Sequence, residues 1–174
     1  MINLNYYKDI YSKYLRPNMI YESIYDIDFD LLVEDGVRHL FFDIDNTIIS
    51  YKEKEVSIQC LNLFNSIGNL DFESISLISN NSSVERVQKV AKQLKLPAVA
   101  FACKPFPFTM NRILKDKNIK PEECVFVGDQ VFTDILLANF LNINSIFVEP
   151  LDTSHVSFLR LMQYRFQETL LNKL

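Results

Sequence analysis

From residue 38 onward, short apolar runs rich in β-branched and aromatic residues alternate with longer stretches of helical periodicity. The apolar runs predict strands, which are HLFFDI (39–44), SISLIS (74–79), AVAF (98–101), ECVFVG (123–128) and NSIFVE (144–149). The other stretches predict helices near 54–67, 83–95, 108–118, 134–142 and 155–172. Continuously apolar strands that alternate with helices are typical of βαβ units. The pattern therefore predicts an α/β fold with a doubly wound, Rossmann-like and mostly parallel sheet of about five strands.

The length and the scarcity of linker residues favour a single domain. The chain has 174 residues, with only 3 glycines and 6 prolines, and no internal repeat. We expect a tyrosine-rich N-terminal arm over 1–37, a core over 38–150 and a C-terminal helix over 151–174. Local signals also predict where helices begin. Asp28 is the expected cap of a short helix that ends before Gly36. Ser82 and Glu85 form a capping box at the start of the 83–95 helix, and Thr133 is the expected cap of the helix that begins at Asp134.

Charge and cysteine content exclude several classes of protein. A formal net charge of −4 gives no electrostatic reason to expect a nucleic-acid partner. Three widely spaced cysteines without a CxxC pair argue against a disulfide framework or a structural zinc site, so we expect a cytoplasmic location. No window approaches the roughly 20 apolar residues that a membrane-spanning helix needs, and no signal peptide is indicated.

The candidate functional residues follow the predicted strands. Ligands of open parallel sheets bind at the carboxyl ends of the strands. The polar residues at these ends are Asp43 and Asp45, Ser79 and Asn80, Lys104, and Asp129 with Asp134 five residues further on. Alternation along a strand puts Asp43 and Asp45 on one face, roughly 7 Å apart at their Cα atoms. Both carboxylates can therefore address one bound group.

These residue types fit phosphoryl transfer. A carboxylate can attack a phosphoryl group and form an aspartyl-phosphate, while a second carboxylate transfers a proton. Because two carboxylates repel a phosphate, positive charge is required, and Lys104 supplies part of it. A cation held by Asp43 and Asp129 would supply the rest, and oxygen ligands of this kind suit Mg²⁺. Ser79 and the backbone N–H groups after it offer neutral donors to phosphate.

The ordered set resembles the haloacid dehalogenase (HAD) superfamily of phosphotransferases. Its D-x-D-x-T signature stands here as Asp43-Ile44-Asp45-Asn46-Thr47, followed by Ser79, Lys104 and the acidic pair of GDQVFTD. The resemblance implies that Asp43 is the nucleophile and a Mg²⁺ ligand. It implies that Asp45 is the general acid and base, with its backbone carbonyl on the metal, and that Asp129 is the remaining protein ligand. The other implied roles are phosphate binding by Ser79, Asn80, Lys104 and Thr47, support of the loop by Thr47, and orientation of Lys104 or a metal-bound water by Asp134.

A closer resemblance narrows the family. The segments SIYDIDFDLLVEDGVRHLFFDIDNTI, SNN, KPFPF and VGDQVFTDILLAN are similar to the YqeG family, subfamily IIIA of the HAD phosphatases. That family is related to mitochondrial phosphatidylglycerophosphate phosphatases, which makes a lipid phosphomonoester the leading candidate substrate. A nucleotide, a sugar phosphate or a phosphoprotein remains an alternative. So does a non-catalytic HAD-fold protein that docks a partner through the tyrosine-rich arm, although the complete set of acidic residues and Lys104 argues against it.

The motif spacing leaves no room for a cap domain. Only 33 residues separate Asp45 from Ser79, and 24 separate Ser79 from Lys104. We therefore expect an open site that a large substrate, such as a lipid head group, or a neighbouring subunit of an oligomer covers. Peripheral membrane or partner contact through the arm or the C-terminal helix stays open. For that helix, core packing of a stripe formed by Leu159, Met162, Phe166 and Leu170 is the main interpretation.

Overall fold

The computed structural model describes residues 11–154 and 158–171, and a parallel sheet runs through the middle of that part of the chain. All five predicted strands are present, and a sixth strand comes from the N-terminal arm and pairs with the last one. In chain order the strands are β1 (Met19–Tyr21), β2 (His39–Phe42), β3 (Ser74–Ile78), β4 (Ala98–Val99), β5 (Cys124–Gly128) and β6 (Asn144–Val148). The prediction of a mostly parallel α/β sheet is confirmed.

Helices connect these strands, as the periodicity predicts. They are α1 (Phe29–Glu34), α2 (Ile58–Ile67), α3 (Val84–Leu94), α4 (Phe108–Asp116), α5 (Leu136–Phe140) and α6 (Phe158–Leu171). Shorter turns are π-helical at Tyr11–Leu15 and Val131–Ile135 and 3₁₀-helical at Ile24–Asp26 and Pro121–Glu123. No helix among the described residues is long and apolar enough to cross a membrane.

The order of the strands places the carboxyl end of β2 at the centre of one edge of the sheet. The order is β1-β6-β5-β2-β3-β4, so the chain moves outward from β2 to β4 and then returns to the other side of β2. The point where the order reverses lies between β2 and β5 and is the expected ligand site of such a sheet. Phe42 at the end of β2 is in register with Val127 of β5 and Leu77 of β3. The residues that follow these three strands therefore converge.

Both faces of the central strand are buried, which explains its uninterrupted apolar sequence. Leu40 and Phe42 belong to one hydrophobic cluster, and Phe41 belongs to another on the opposite side. The Phe42 ring contacts Phe64 of α2, with ring centroids 5.0 Å apart. Burial of each phenylalanine contributes about 1.5–3 kcal/mol. This packing fixes β2 rigidly and so fixes the position of the carboxylates that follow it.

Of the three predicted helix caps, one is confirmed and two are wrong. The Asp28 side chain accepts a hydrogen bond from Leu31 N at the start of α1. The cap of α3 is Ser83 rather than Ser82, because Asn81 Oδ1 binds Ser83 N and moves the turn by one residue. Thr133 caps nothing, since it lies inside the π-helical turn that precedes α5.

The prediction that an apolar stripe packs α6 on the core is also wrong for two of the four residues in that stripe. Met162 and Phe166 are exposed, whereas the polar residues Tyr164 and Gln167 are buried. The reason is that Tyr164 and Gln167 face polar atoms of the site described below. The side chain of Leu159 lies outside the described residues, as do residues 4 and 7 of the N-terminal arm.

Candidate active site

Two carboxylates lie just beyond the end of β2. Asp43 N continues the β-ladder by donating to Val127 O at 2.9 Å, and Asp45 follows in the loop. Each residue is only 5% exposed, yet both line a pocket of about 400 Å³. Ser79, Asn80 and Lys104 also line it, so five of the predicted site residues meet there.

Lys104 lies between two of the predicted acidic residues. Its Nζ atom is 2.5 Å from Asp43 Oδ1 and 2.7 Å from Asp134 Oδ1. The side chain is buried and also lies over the ring of Phe126, 5.3 Å from its centroid. Pairs this short and this well shielded from water are geometrically fixed, so Lys104 ties the loop after β4 to the ends of β2 and β5.

Asn80 holds the backbone of Lys104 in place. The Asn80 side chain donates through Nδ2 to Lys104 O at 2.8 Å and accepts from Lys104 N through Oδ1 at 2.7 Å. Both polar groups of the amide are thus directed at the backbone, although the sequence predicts that Asn80 binds phosphate. The Ser79 hydroxyl accepts from Asn81 N at 3.0 Å, which leaves its own proton available to a ligand in the pocket.

Three buried carboxylates form a cluster that includes Asp43 of the pocket wall. Oxygen atoms of Asp43, Asp129 and Asp134 all lie within 4.8 Å of one another, and all three residues are buried. Asp134 is held by Gln130 N, which donates to its second oxygen at 3.1 Å. The three acidic groups outnumber the one positive charge of Lys104, and their oxygen atoms are ligands that suit a hard cation.

Burial and mutual repulsion shift the protonation of this cluster. Burial, opposed by Lys104, raises the pKa of Asp43 to about 7. Burial and the neighbouring Asp43 carboxylate also raise the pKa of Asp129 well above its ordinary value. Burial alone would lower the pKa of Lys104, but the carboxylates of Asp134 and Asp43 raise it overall, so the lysine stays charged.

The Asp45 carboxylate points away from this cluster toward two residues that the sequence analysis missed. Arg86 Nε donates to Asp45 Oδ1 at 2.9 Å, and Asn81 Nδ2 donates to Asp45 Oδ2 at 2.8 Å. The same guanidinium donates to Ser50 O at 2.8 Å and Glu53 O at 2.7 Å. Arg86 therefore fastens the loop after β2 to the first turn of α3. The only sequence signal was its place three residues beyond the helix cap.

The C-terminal helix α6 supplies two further residues that contact Asp129. Tyr164 Oη donates to Asp129 Oδ2 at 2.6 Å, and Gln167 Nε2 donates to Asp129 O at 2.9 Å. Thr47 Oγ1 donates to Asp129 Oδ1 at 3.4 Å. Thr47, predicted to bind phosphate and support the loop, thus faces Asp129 and lies behind the pocket. Tyr164 and Gln167 lie three positions apart on one helical face. Because both side chains are polar, the sequence did not indicate that they are buried.

A glycine permits the close approach of Asp134 to the end of β5. A Cβ atom at Gly128 would lie 2.5 Å from Cβ, Cγ and Oδ2 of Asp134. We expect Gly128→Ala to displace Asp134 and lower the free energy of unfolding by about 1–3 kcal/mol, as overpacking does. Thermal denaturation measures this loss. Gly68→Ala is the control, since its Cβ would meet Phe64 O at 3.3 Å and clash far less. Equal melting temperatures for the two variants would contradict the prediction.

The chain matches one protein family over most of its length. The family model described as mitochondrial PGP phosphatase matches residues 4–150. A Bacillus subtilis (strain 168) protein named "Probable phosphatase YqeG" is 28% identical over 142 residues, which are 82% of this chain and 81% of that protein.

Solved structures share the fold at lower identity. An uncharacterized protein from Listeria monocytogenes serotype 4b matches with a TM-score of 0.56 and 16% identity, over 79% of this chain and 100% of that one. A Streptomyces avermitilis protein described as a HAD family hydrolase matches with a TM-score of 0.50 and 16% identity, over 64% of this chain and 66% of that one. Both matches concern the fold alone.

Proposed function

This chain belongs to the mitochondrial PGP phosphatase family and is a phosphatase of the HAD type, and on that premise we propose that it hydrolyses phosphomonoesters through a phosphorylated Asp43. The observation that carries the proposal is the contact between Asp43 Oδ1 and Lys104 Nζ, 2.5 Å apart, in the wall of an open polar pocket. A carboxylate at the end of a rigid strand, beside a fixed cation, is placed to attack a phosphoryl group that the cation orients.

The proposed reaction has two displacements at phosphorus. In the first, a carboxylate oxygen of Asp43 forms a bond to phosphorus, the bond to the leaving oxygen breaks, and Asp45 gives that oxygen a proton. In the second, water attacks the phosphorus of the aspartyl-phosphate, Asp45 accepts a proton from it, and inorganic phosphate leaves as Asp43 is regenerated. Lys104 offsets the charge of the phosphoryl oxygens in both steps, and the Ser79 hydroxyl donates a hydrogen bond to them.

Both oxygens of Asp45 accept hydrogen bonds, one from Arg86 and the other from Asn81. In the first displacement Asp45 gives a proton to the leaving oxygen, so one of these two donors must be released when substrate binds.

The three clustered carboxylates also fit a divalent cation. Asp43 and Asp129 offer hard oxygen ligands at the spacing of the cluster, and the expected contribution of the Asp45 backbone carbonyl stays a prediction. Mg²⁺ bound there would offset the repulsion between the acidic residues and a phosphate dianion.

Phosphatidylglycerophosphate is the proposed substrate. Two observations support a lipid phosphomonoester: the matching family is described as PGP phosphatase, and the connections from Asp45 to Ser79 and from Ser79 to Lys104 carry one helix each and no cap domain. Without a cap, exclusion of water from the pocket falls to the substrate itself, and a lipid at an interface can provide it.

The test of the substrate is phosphate release from a panel. The panel contains phosphatidylglycerophosphate in detergent micelles, sugar phosphates, nucleotides and a phosphopeptide, each with Mg²⁺ and with chelator. We expect Mg²⁺-dependent release from the lipid at a kcat/KM at least about a hundredfold above the other compounds. A preference for a nucleotide or a sugar phosphate would refute the lipid assignment and leave the chemistry intact.

Metal affinity should depend on pH. Because the pKa of Asp43 is raised to about 7 and that of Asp129 is also raised, the metal-free cluster binds protons that Mg²⁺ must displace. We expect Mg²⁺ affinity to increase as the pH rises through 7. Calorimetric titration in buffers of different ionisation enthalpy measures both the affinity and the released protons. An affinity that is flat across this range, with no proton release, would contradict the prediction.

Tyr164→Phe should weaken metal binding without removing catalysis. The Tyr164 hydroxyl orients Asp129 through a 2.6 Å hydrogen bond, and loss of such a supporting contact typically lowers metal affinity about 10-fold or more. We expect the Mg²⁺ concentration for half-maximal activity to rise by about that factor, with kcat at saturating Mg²⁺ nearly unchanged. Tyr25→Phe is the control, since the Tyr25 hydroxyl contacts the Ser57 hydroxyl. A loss of kcat that Mg²⁺ does not restore would rule out this role.

A further inference from the structure

The loop that brings Lys104 into the pocket directs phenylalanines to the outside. Along 101–104, exposed and buried residues alternate: Phe101 is 55% exposed, Ala102 is buried, Cys103 is exposed, and Lys104 is buried. The backbones of Phe101 and Cys103 both have positive φ, of 52° and 58°, which is uncommon for residues with bulky side chains. The chain thus adopts an unfavourable conformation that leaves an aromatic ring in water.

Two more phenylalanines follow on the outer side of the same loop. Phe106 is 61% exposed and Phe108 is 75% exposed. Their rings are nearly parallel, at 18°, with centroids 6.3 Å apart. Together with Phe101 they form what we call the phenylalanine rim. Three large apolar side chains exposed within eight residues are unusual on a soluble surface and mark a contact site.

The rim is joined directly to the wall of the pocket. Phe101 N donates to the backbone oxygen of Asn81, which lines the pocket, at 3.3 Å. Phe106 N donates to the backbone oxygen of Cys103, the neighbour of Lys104, at 2.9 Å. Whatever covers the rim is therefore held within a few residues of the groups that would bind phosphate.

Positive charge lies behind the rim on α4. Arg112 and Lys115 follow Phe108 at intervals of four and seven residues, which places all three on one face of the helix. Both basic residues are exposed, and Lys117 follows them. Asp116, which lies 3.5 Å from Arg112 Nε, is the only acidic residue from 101 to 117, so the exposed residues Arg112, Lys115 and Lys117 keep this segment positive in a chain whose formal net charge is −4. An aromatic tip backed by basic residues is the pattern that binds an anionic lipid surface.

We propose that the phenylalanine rim inserts into the surface of an anionic membrane and so places the open pocket over lipid phosphate groups. The inference rests in part on the proposed lipid phosphatase function, since it explains how an uncapped site reaches such a substrate. Docking through the loop that carries Lys104 would let the membrane itself exclude water from the pocket.

The test separates membrane docking from hydrolysis. Wild-type protein and the variant Phe101→Ser/Phe106→Ser/Phe108→Ser are sedimented with vesicles of phosphatidylglycerol and phosphatidylcholine, which contain no substrate. We expect binding of the wild type, weakened several-fold by salt or by vesicles of phosphatidylcholine alone, and about 10-fold or greater loss in the variant. Hydrolysis of p-nitrophenyl phosphate should stay within about twofold of wild type, while hydrolysis of vesicle-bound phosphatidylglycerophosphate should fall about 10-fold or more.

Controls keep each outcome decisive. Leu31→Ser removes an apolar side chain of similar exposure, 48%, from α1 ahead of the amino end of β2, and should bind vesicles like wild type. Phe108→Ser alone, at the most exposed position of the rim, should lose less vesicle binding than the triple variant. It replaces the triple variant in the test if the triple variant unfolds. The proposal is overturned if the wild-type protein binds neither kind of vesicle. It is also overturned if the wild-type protein self-associates and the triple variant does not, because the rim would then be an interface between copies of this chain. Vesicle binding without hydrolysis of any lipid would uphold the rim and refute the proposed substrate.

Discussion

Asp43→Asn should lower kcat for phosphate release by about 10⁴-fold or more, because the amide cannot form the covalent bond to phosphorus. The same substitution should leave the free energy of unfolding unchanged or raise it. Asp43, Asp129 and Asp134 crowd three acidic groups around one lysine, and burial disfavours the charge on Asp43. Removing one charge relieves that repulsion, and Lys104 keeps its contact with Asp134 at 2.7 Å. Kinetics and thermal denaturation of the same preparation measure the two effects.

Asp71→Asn is the matched control, since it removes an exposed carboxylate from the connection between α2 and β3. It should alter neither activity nor melting temperature. An Asp43→Asn protein that keeps its fold and more than about a hundredth of the wild-type kcat would exclude a covalent role for Asp43.

Lys104→Met should reduce both activity and stability, in contrast to Asp43→Asn. It removes a buried cation from two ion pairs and leaves the carboxylates of Asp43 and Asp134 without a counter-charge. Breaking a buried pair in this way costs about 3–5 kcal/mol of unfolding free energy. Loss of the charge that holds the phosphoryl group should lower kcat/KM by about 10²–10³-fold. Denaturant unfolding and steady-state kinetics measure the two losses.

A double variant separates the structural role of Lys104 from its role in the reaction. Adding Asp43→Asn to Lys104→Met removes one of the two unpaired carboxylates, so part of the lost stability should return while activity stays absent. A Lys104→Met protein as stable as wild type would show that the ion pairs contribute nothing to the fold.

The sequence predicted the fold well because its signals are local. The inner strands β2 and β5 are buried on both faces and therefore read as uninterrupted apolar runs, as HLFF does in β2. The residues after β2, β3 and β5 could be assigned to one site because parallel strands end at one edge. The sixth strand escaped prediction, since Met19–Tyr21 is short and lies at the edge of the sheet, where burial imposes no pattern.

The residues that support the site could not be predicted because their burial depends on partners far away in the chain. Tyr164 and Gln167 satisfy Asp129, which is more than thirty residues distant in sequence. A rule that assigns apolar residues to the core instead selected Met162 and Phe166, which are exposed. Arg86 was missed for the same reason, since nothing near it in sequence indicates its contact with Asp45.

Trapping of the phosphorylated protein tests the central claim most directly. In Asp45→Asn the base for the second displacement is absent, so an aspartyl-phosphate should accumulate when the leaving group needs no proton, as with radiolabelled acetyl phosphate. After acid quench and proteolysis, we predict hydroxylamine-labile label, stoichiometric with protein, on the peptide that contains Asp43. Label on another residue, or rapid phosphate release with no labelled protein, would contradict the account.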